Sequence, residues 1–179
     1  KNKIISVEST KKNNFASVFF DKGHEIIESI IQSIREEAEE CDSVSGFHLF
    51  HSLGGGTGSG LTSMILNELC DEYPDQIKST FSIFPSKKVD NYYIEPYNCI
   101  LNLNHLIQSA DEVFYFDNEE LYDLCISKNN TYNPTFNDLN SHALYRMSSI
   151  TSSLRFPNQL NSDLKKIYTN IIPFQHLKF

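Results

Sequence analysis

Gly46-Phe-His-Leu-Phe-His-Ser-Leu-Gly-Gly-Gly-Thr-Gly-Ser-Gly60 decides how the rest of the chain is read. Its first half is short, largely apolar and bounded by glycine, which predicts a buried strand over 46–53. Its second half holds most of the seven glycines of the chain and predicts a loop over 54–60. Beyond it Leu61, Met64, Ile65 and Leu69 return at helical spacing, until Pro74 ends the run. Strand, glycine loop, helix is the repeating half of a parallel α/β fold.

The flanks carry the same alternation. Asp21 to Cys41 reads as a helix, capped by Asp21, with Ile26, Ile27, Ile30, Ile31, Ile34 and Ala38 on one stripe. Thr80 to Phe84 reads as a second strand stopped by Pro85, and Pro96 opens a helix carrying Ile100, Leu103, Leu106 and Ile107. Val113 to Phe116 is a third strand, followed by a short helix over Glu119 to Ile126. The polar stretch Ser127 to Asn133 predicts a loop. Leu139, Ala143, Leu144, Met147 and Ile150 then restore helical periodicity. A last helix near Ser162 to Asn170 leads into an expected strand at Phe174 to Phe179. The expected architecture is a Rossmann-like parallel sheet with helices on both faces.

Composition narrows the function. The chain has 179 residues, a formal net charge of −8, 40% hydrophobic and 21% charged residues, an ordinary globular balance. Net acidity argues against a nucleic-acid partner, which needs a basic face. No apolar run approaches the roughly 18 residues of a membrane-spanning helix, so no membrane role is expected. Cys41, Cys70, Cys99 and Cys125 form no C-x-x-C pair and no Cys/His cluster at zinc spacing, so no protein-built metal site is expected. His48 and His51 lie three apart, on opposite faces of a strand, and read as packing or surface residues. The chain starts at Lys1 without an initiator Met and is expected to belong to something longer.

The glycine loop carries the chemistry. Glycines let successive N–H groups converge on an anion with no Cβ in the way, and the helix that follows adds partial positive charge. Thr57 and Ser59 add hydroxyls. Phosphate binding and a merely flexible turn are both open on spacing alone. No Gly-Lys-Ser/Thr closes a Walker A loop, and no acidic ribose partner follows a second strand about 20 residues on, as a dinucleotide fingerprint requires.

Gly54-Gly-Gly-Thr-Gly-Ser-Gly60 resembles the signature of the tubulins. Glu95-Pro-Tyr-Asn98, Ala110-Asp-Glu-Val113, Asp117-Asn-Glu119, Leu121-Tyr-Asp123, Asp138-Leu-Asn140, Leu154-Arg-Phe-Pro157 and Gln159-Leu-Asn-Ser-Asp-Leu164 resemble β-tubulin in order and interval. The likeness runs from Asn13 to Phe179. It implies GTP or GDP as ligand, with phosphates held by Gly54, Gly55, Gly56, Thr57, Gly58, Ser59 and Asn13. It also implies Glu95 near the ribose, Asn118 and Asn140 reading guanine, and Phe136 stacked on the base in place of the usual Tyr.

Asn161, Asp163 and Lys166 then fall on the longitudinal interface with the next subunit. Lys166 stands where the α-type subunit carries a Glu that positions water, and a cation cannot serve as that base. The resemblance implies a structural microtubule subunit in the cytoplasm and cytoskeleton, paired with α-tubulin. Its GTPase would be coupled to polymerisation and would not be a stand-alone enzyme. On this reading the 179 residues are part of the GTP-binding domain. The first strands, a further phosphate loop and the acid serving Mg2+ would lie before Lys1, and the intermediate and C-terminal domains beyond Phe179. Lys11, Lys12, Asn91 and Asn158 depart from the family pattern. They sustain an alternative, a degenerate tubulin-like remnant that binds no nucleotide and has no filament role.

Overall fold

The computed structural model describes residues 3–6, 13–86, 93–129, 133–157, 161–174 and 176–179. Three parallel strands, β1 (Gly46–Ser52), β2 (Ile77–Phe84) and β3 (Glu112–Asp117), form one sheet in the order β1-β2-β3. The register sets Phe50 opposite Phe81 and Phe81 opposite Phe114. Their rings stack across the sheet at 4.7 and 4.8 Å between centroids. Parallel strands need crossover helices, and here these are α3 (Thr62–Glu72) between β1 and β2 and α4 (Glu95–Ser109) between β2 and β3.

Alternation along the strands separates two cores. On one face Leu49, Leu53, Phe84 and Val113 meet Leu66 of α3 and Cys99, Leu103 and Leu106 of α4. On the other, Phe81, Ile83, Phe114 and Phe116 meet α5 (Asn118–Asn129) and α6 (Phe136–Ile150) through Leu121, Cys125, Leu139 and Ala143. The expected α/β sheet with helices on both faces is therefore present. Cover is incomplete over β1, where Phe50 remains 59% exposed. The expected buried strand is thus a half-buried edge, with β2 alone hydrogen-bonded to it among the described residues.

Other boundaries move for identifiable reasons. The first helical stretch starts at α1 (Phe15–Ser17), passes through a π-helical turn, Val18–Lys22, and continues as α2 (Gly23–Glu39). Asn14 caps it: its backbone is extended and its side chain accepts from Ser17 N at 2.7 Å. Asp21, expected as the cap, lies inside the π turn. Gly23 marks close packing here, since a Cβ would come 2.2 Å from Met64 Sδ. β2 begins three residues before its expected start, and α5 extends through Ser127 and Lys128, which were expected in a loop.

α7 (Ser152–Arg155) and α8 (Leu164–Ile171) complete the helices. The expected terminal strand does not form among the described residues. The tail makes one backbone bond to the sheet instead, Val113 N to Lys178 O at 2.8 Å, and Lys178 Nζ donates to Ala110 O at 2.6 Å.

Candidate functional site

The carboxyl ends of parallel strands are where open α/β sheets gather ligands, and the motifs that carry Gly54, Glu95, Asn118 and Asn140 arrive there. β1 delivers the glycine loop. Leu53 N still donates to Ile83 O at 2.9 Å, which fixes the chain as it leaves the sheet. The turn at Gly54–Gly56 then passes into a π-helical segment, Thr57–Leu61, continuous with α3. β2 runs out to Pro85, and α4 starts at Glu95, an acid in a first helical turn where the dipole favours it. Pro96 is the second residue of α4, not the first as expected.

β3 ends at Asp117, whose Oδ1 accepts from Glu119 N at 2.8 Å and whose Oδ2 accepts from the Tyr115 hydroxyl at 3.1 Å. That places Asn118 at the strand–helix junction. The Tyr115 hydroxyl is pushed up to about 12 by burial first and by its bond to the Asp117 carboxylate second. α6 is started by Thr135 and Asp138, whose carboxylate accepts from Thr135 N at 2.8 Å and from the Thr135 hydroxyl at 2.7 Å. These bonds hold the Asp138 carboxyl below the usual carboxylate range. Phe136 and Asn140 follow four residues apart, on one side of the helix.

These pieces line one cleft of about 210 Å³, formed by Ser52, Gly54, Gly55, Ile83, Pro85, Glu95, Asn118, Phe136, Leu139 and Asn140. Glu95 folds over the loop, since a Cβ on Gly54 would meet its Cγ at 3.3 Å. Of the larger depressions, those of about 670 Å³ beside α2 and about 620 Å³ beneath α6 are lined mainly by apolar side chains. One of about 520 Å³, with Asp111, Tyr168, His176 and Lys178, lies at the amino end of β3, away from the loop. The smaller cleft has the donor and acceptor set of a specific site.

The other expected phosphate ligands sit around the loop outside this cleft. Asn13 Oδ1 accepts from Gly56 N at 2.6 Å. Thr57 is exposed and Gly58 half-buried. Ser59 is fully buried, its hydroxyl turned inward onto Gly55 O at 2.6 Å. Asn161, Asp163 and Lys166 lie apart from the cleft at the start of α8. There Asn161 Oδ1 accepts from Asn170 Nδ2 at 2.8 Å and Lys166 Nζ donates to Ser162 Oγ at 3.1 Å. Lys11, Lys12, Asn91 and Asn158 fall outside the described residues.

Three side chains with no role in the sequence reading surround the loop from below. Asn98, 2% exposed, accepts from Phe15 N at 2.8 Å and donates to Gly54 O at 2.7 Å. Asn102, fully buried, donates to Ser59 O at 2.6 Å and to Ser63 Oγ at 2.8 Å. His51 Nδ1 donates to Gly58 O and Nε2 accepts from the Ser82 hydroxyl, each at 2.8 Å. Burial pushes the His51 imidazole down, against a smaller upward pull from the Gly58 carbonyl. Helical spacing gave a signal for Asn98 and Asn102: polar residues four apart on a helix whose neighbours are apolar.

The site as a whole is a glycine turn, a carboxylate, two amides and an aromatic ring gathered at the switch from sheet to helix, where open α/β folds place ligands. The family model described as "Tubulin/FtsZ family, GTPase domain" matches residues 1–126. The chain belongs to the tubulin/FtsZ family. It is 48% identical over 176 residues to the tubulin beta-6 chain of Gallus gallus, covering 98% of this chain and 40% of that protein. It is 47% identical over 167 residues to the tubulin beta-1 chain of Homo sapiens, covering 93% of this chain and 37% of that one. The chain thus spans about two fifths of the curated relatives it matches.

Proposed function

We propose that this chain supplies the base, ribose and part of the phosphate contacts of a guanine-nucleotide site. On this reading it serves as part of a β-tubulin-like microtubule subunit that pairs with α-tubulin in the cytoskeleton. The observation that carries the reading is the convergence of Gly54, Gly55, Glu95, Asn118, Phe136 and Asn140 on one cleft. These residues come from four separate elements, and nothing in packing alone requires that combination.

The chemistry fits the ligand. A cleft of about 210 Å³ takes a base and sugar, so the phosphates extend over Gly54–Gly58. Glycine at 54 and 56 lets the turn pack closely against Glu95 and against the Asn13–Asn14 backbone, where a Cβ would crowd or collide. The amides of Asn118 and Asn140 can each donate and accept, as the O6 and N1–H/N2 edge of guanine requires. Phe136, 59% exposed, offers a free π-face for stacking. Mg2+ typically takes one or two carboxylates together with phosphate oxygens, and the described residues that line this cleft offer Glu95 as a carboxylate. Asn161, Asp163 and Lys166 are proposed to face the next subunit, where Lys166 neutralises phosphate charge and supplies no base.

The test is titration of the 179-residue chain with GTP and with ATP at millimolar concentration, followed by amide NMR. GTP is expected to perturb Gly54, Gly55, Asn118 and Asn140 at lower concentration than ATP, with affinity far weaker than micromolar. Equal responses to both nucleotides would sink the base-reading assignment.

A further inference from the structure

We propose that Asn98 is a positioning residue that holds the Gly54 carbonyl inward, so that the Gly55 N–H is presented to phosphate, while His51 and Asn102 anchor the helical turn behind it. The proposal deepens the nucleotide reading and rests on it for the identity of the ligand.

A glycine-rich turn has a cost that its usefulness hides. Without side chains to fix it, the peptide planes rotate freely, and a plane turned the wrong way presents a carbonyl dipole to an anion. Peptide orientation can be fixed by holding either end of the plane. Here three carbonyls are held, one in the turn itself and two, Gly58 O and Ser59 O, in the π-helical segment. There Thr62 N and Ser63 Oγ also donate to Ser59 O, and the Ser59 N–H is taken by Gly55 O. Asn98 Nδ2 takes Gly54 O, His51 Nδ1–H takes Gly58 O, and Asn102 Nδ2 takes Ser59 O. All three donors are buried, so water competes poorly for these bonds. Their orientations are fixed by chemistry: a backbone carbonyl only accepts, so each amide or ring nitrogen facing it must be the donor.

The amides also reach beyond the loop. Asn98 Oδ1 accepts from Phe15 N, and Nδ2 also lies 3.4 Å from Asn13 O. One side chain therefore ties the Gly54 turn to the segment that carries Asn13, which itself binds Gly56 N. Asn102 sits one turn further along α4, its Oδ1 without a hydrogen-bond partner among the described residues. A fully buried amide that leaves an oxygen unsatisfied is poorly explained as core filling. Its retention follows if the Nδ2 contact to the loop is what matters.

The test uses the 179-residue chain and the variants Asn98→Asp and Asn102→Ser. Amide hydrogen exchange is read at Phe15, at residues 55–59 and in β2, without ligand. Binding is then read by NMR titration with inorganic tripolyphosphate and, separately, guanosine. In Asn98→Asp the carboxylate still accepts from Phe15 N, so Phe15 is expected to stay protected. Residues 55–59 should exchange about tenfold faster, the scale of one lost hydrogen bond, with β2 unchanged. Tripolyphosphate binding should weaken by a similar factor while guanosine binding holds. Asn102→Ser, which leaves Ser59 O held by Thr62 N and Ser63 Oγ, should loosen residues 55–59 less and weaken tripolyphosphate binding less. Wild-type exchange at 55–59 in Asn98→Asp, or loss of its β2 protection, overturns the proposal. If the wild-type chain ignores tripolyphosphate while the loop still loosens in the variants, the phosphate reading fails and the carbonyl clamp stands.

Discussion

Glu112 is the residue whose surroundings oppose its charge most plainly. It opens β3, is 2% exposed, and neither carboxylate oxygen has a hydrogen-bond partner among the described residues. Burial pushes its carboxyl up, and the negative charge of Asp111 adds to the rise. Ser79 stands opposite in the register and lessens the rise, although its hydroxyl falls short of a well-formed bond. A carboxyl raised on folding contributes stability below its unfolded value, near 4.5, and loses it as pH climbs through the raised one. Glu112→Gln is therefore expected to stabilise the chain at pH 7 by on the order of 1 kcal/mol, by removing an unpaired buried charge. Its advantage should shrink toward zero near pH 4. Urea unfolding of both proteins at several pH values checks this, and a pH-independent difference would refute it.

At the scale of elements, the loop between β1 and α3 separates two kinds of glycine. A Cβ on Gly58 would lie 2.3 Å from Ser52 O, a rigid backbone atom, so Gly58→Ala must push the loop off the end of β1. Overpacking of that kind costs about 1–3 kcal/mol. A Cβ on Gly55 meets only Asn13 Oδ1 at 3.9 Å, an ordinary contact. Gly55→Ala is expected to keep the wild-type melting temperature to within a few degrees yet weaken tripolyphosphate binding, because the added methyl crowds the turn whose N–H group is proposed to meet phosphate. Thermal melts paired with NMR titration separate the two, and equal damage from both substitutions would remove the distinction.

The same elements show what was readable beforehand. β1, β2, α4 and α6 were legible because apolar spacing changes period at glycine or proline, and β3 because the apolar run Val113–Phe116 is short and flanked by acids. The cleft residues were legible through motifs quoted whole. Asn98 stood inside one of those motifs without a role, and His51 was read as packing, because a side chain that grips a backbone carbonyl leaves no residue-type signal at its target. The start of α1 was hidden for another reason: Asp21 offered a cap by residue type, while the side chain that caps the stretch in the fold is Asn14. The expected strand at 174–179 had apolar residues, but among the described residues its backbone meets the sheet through one bond, Val113 N to Lys178 O.

For the whole molecule, the decisive feature is how the aromatic row across the sheet ends. Phe81 is fully buried between its neighbours, but Phe50 stacks on it with one face and leaves the other to solvent. Beside it, Ile83, Ala143, Leu144 and Met147 continue an apolar groove of about 620 Å³. β1 is also an edge strand among the described residues, with backbone groups that invite a further strand. An apolar groove next to an open edge favours association over a dispersed monomer. The chain is therefore expected to self-associate as its concentration rises, with the groove as the adhesive face. Leu144 is 64% exposed on α6, so Leu144→Lys should cost the fold no more than about 0.5 kcal/mol, as surface substitutions do. It places a charge in the groove, and sedimentation velocity should show a larger monomer fraction at every loading concentration. An unchanged concentration dependence, with an unchanged circular dichroism spectrum, would show that α6 does not meet the neighbouring molecule and that the β1 edge associates alone.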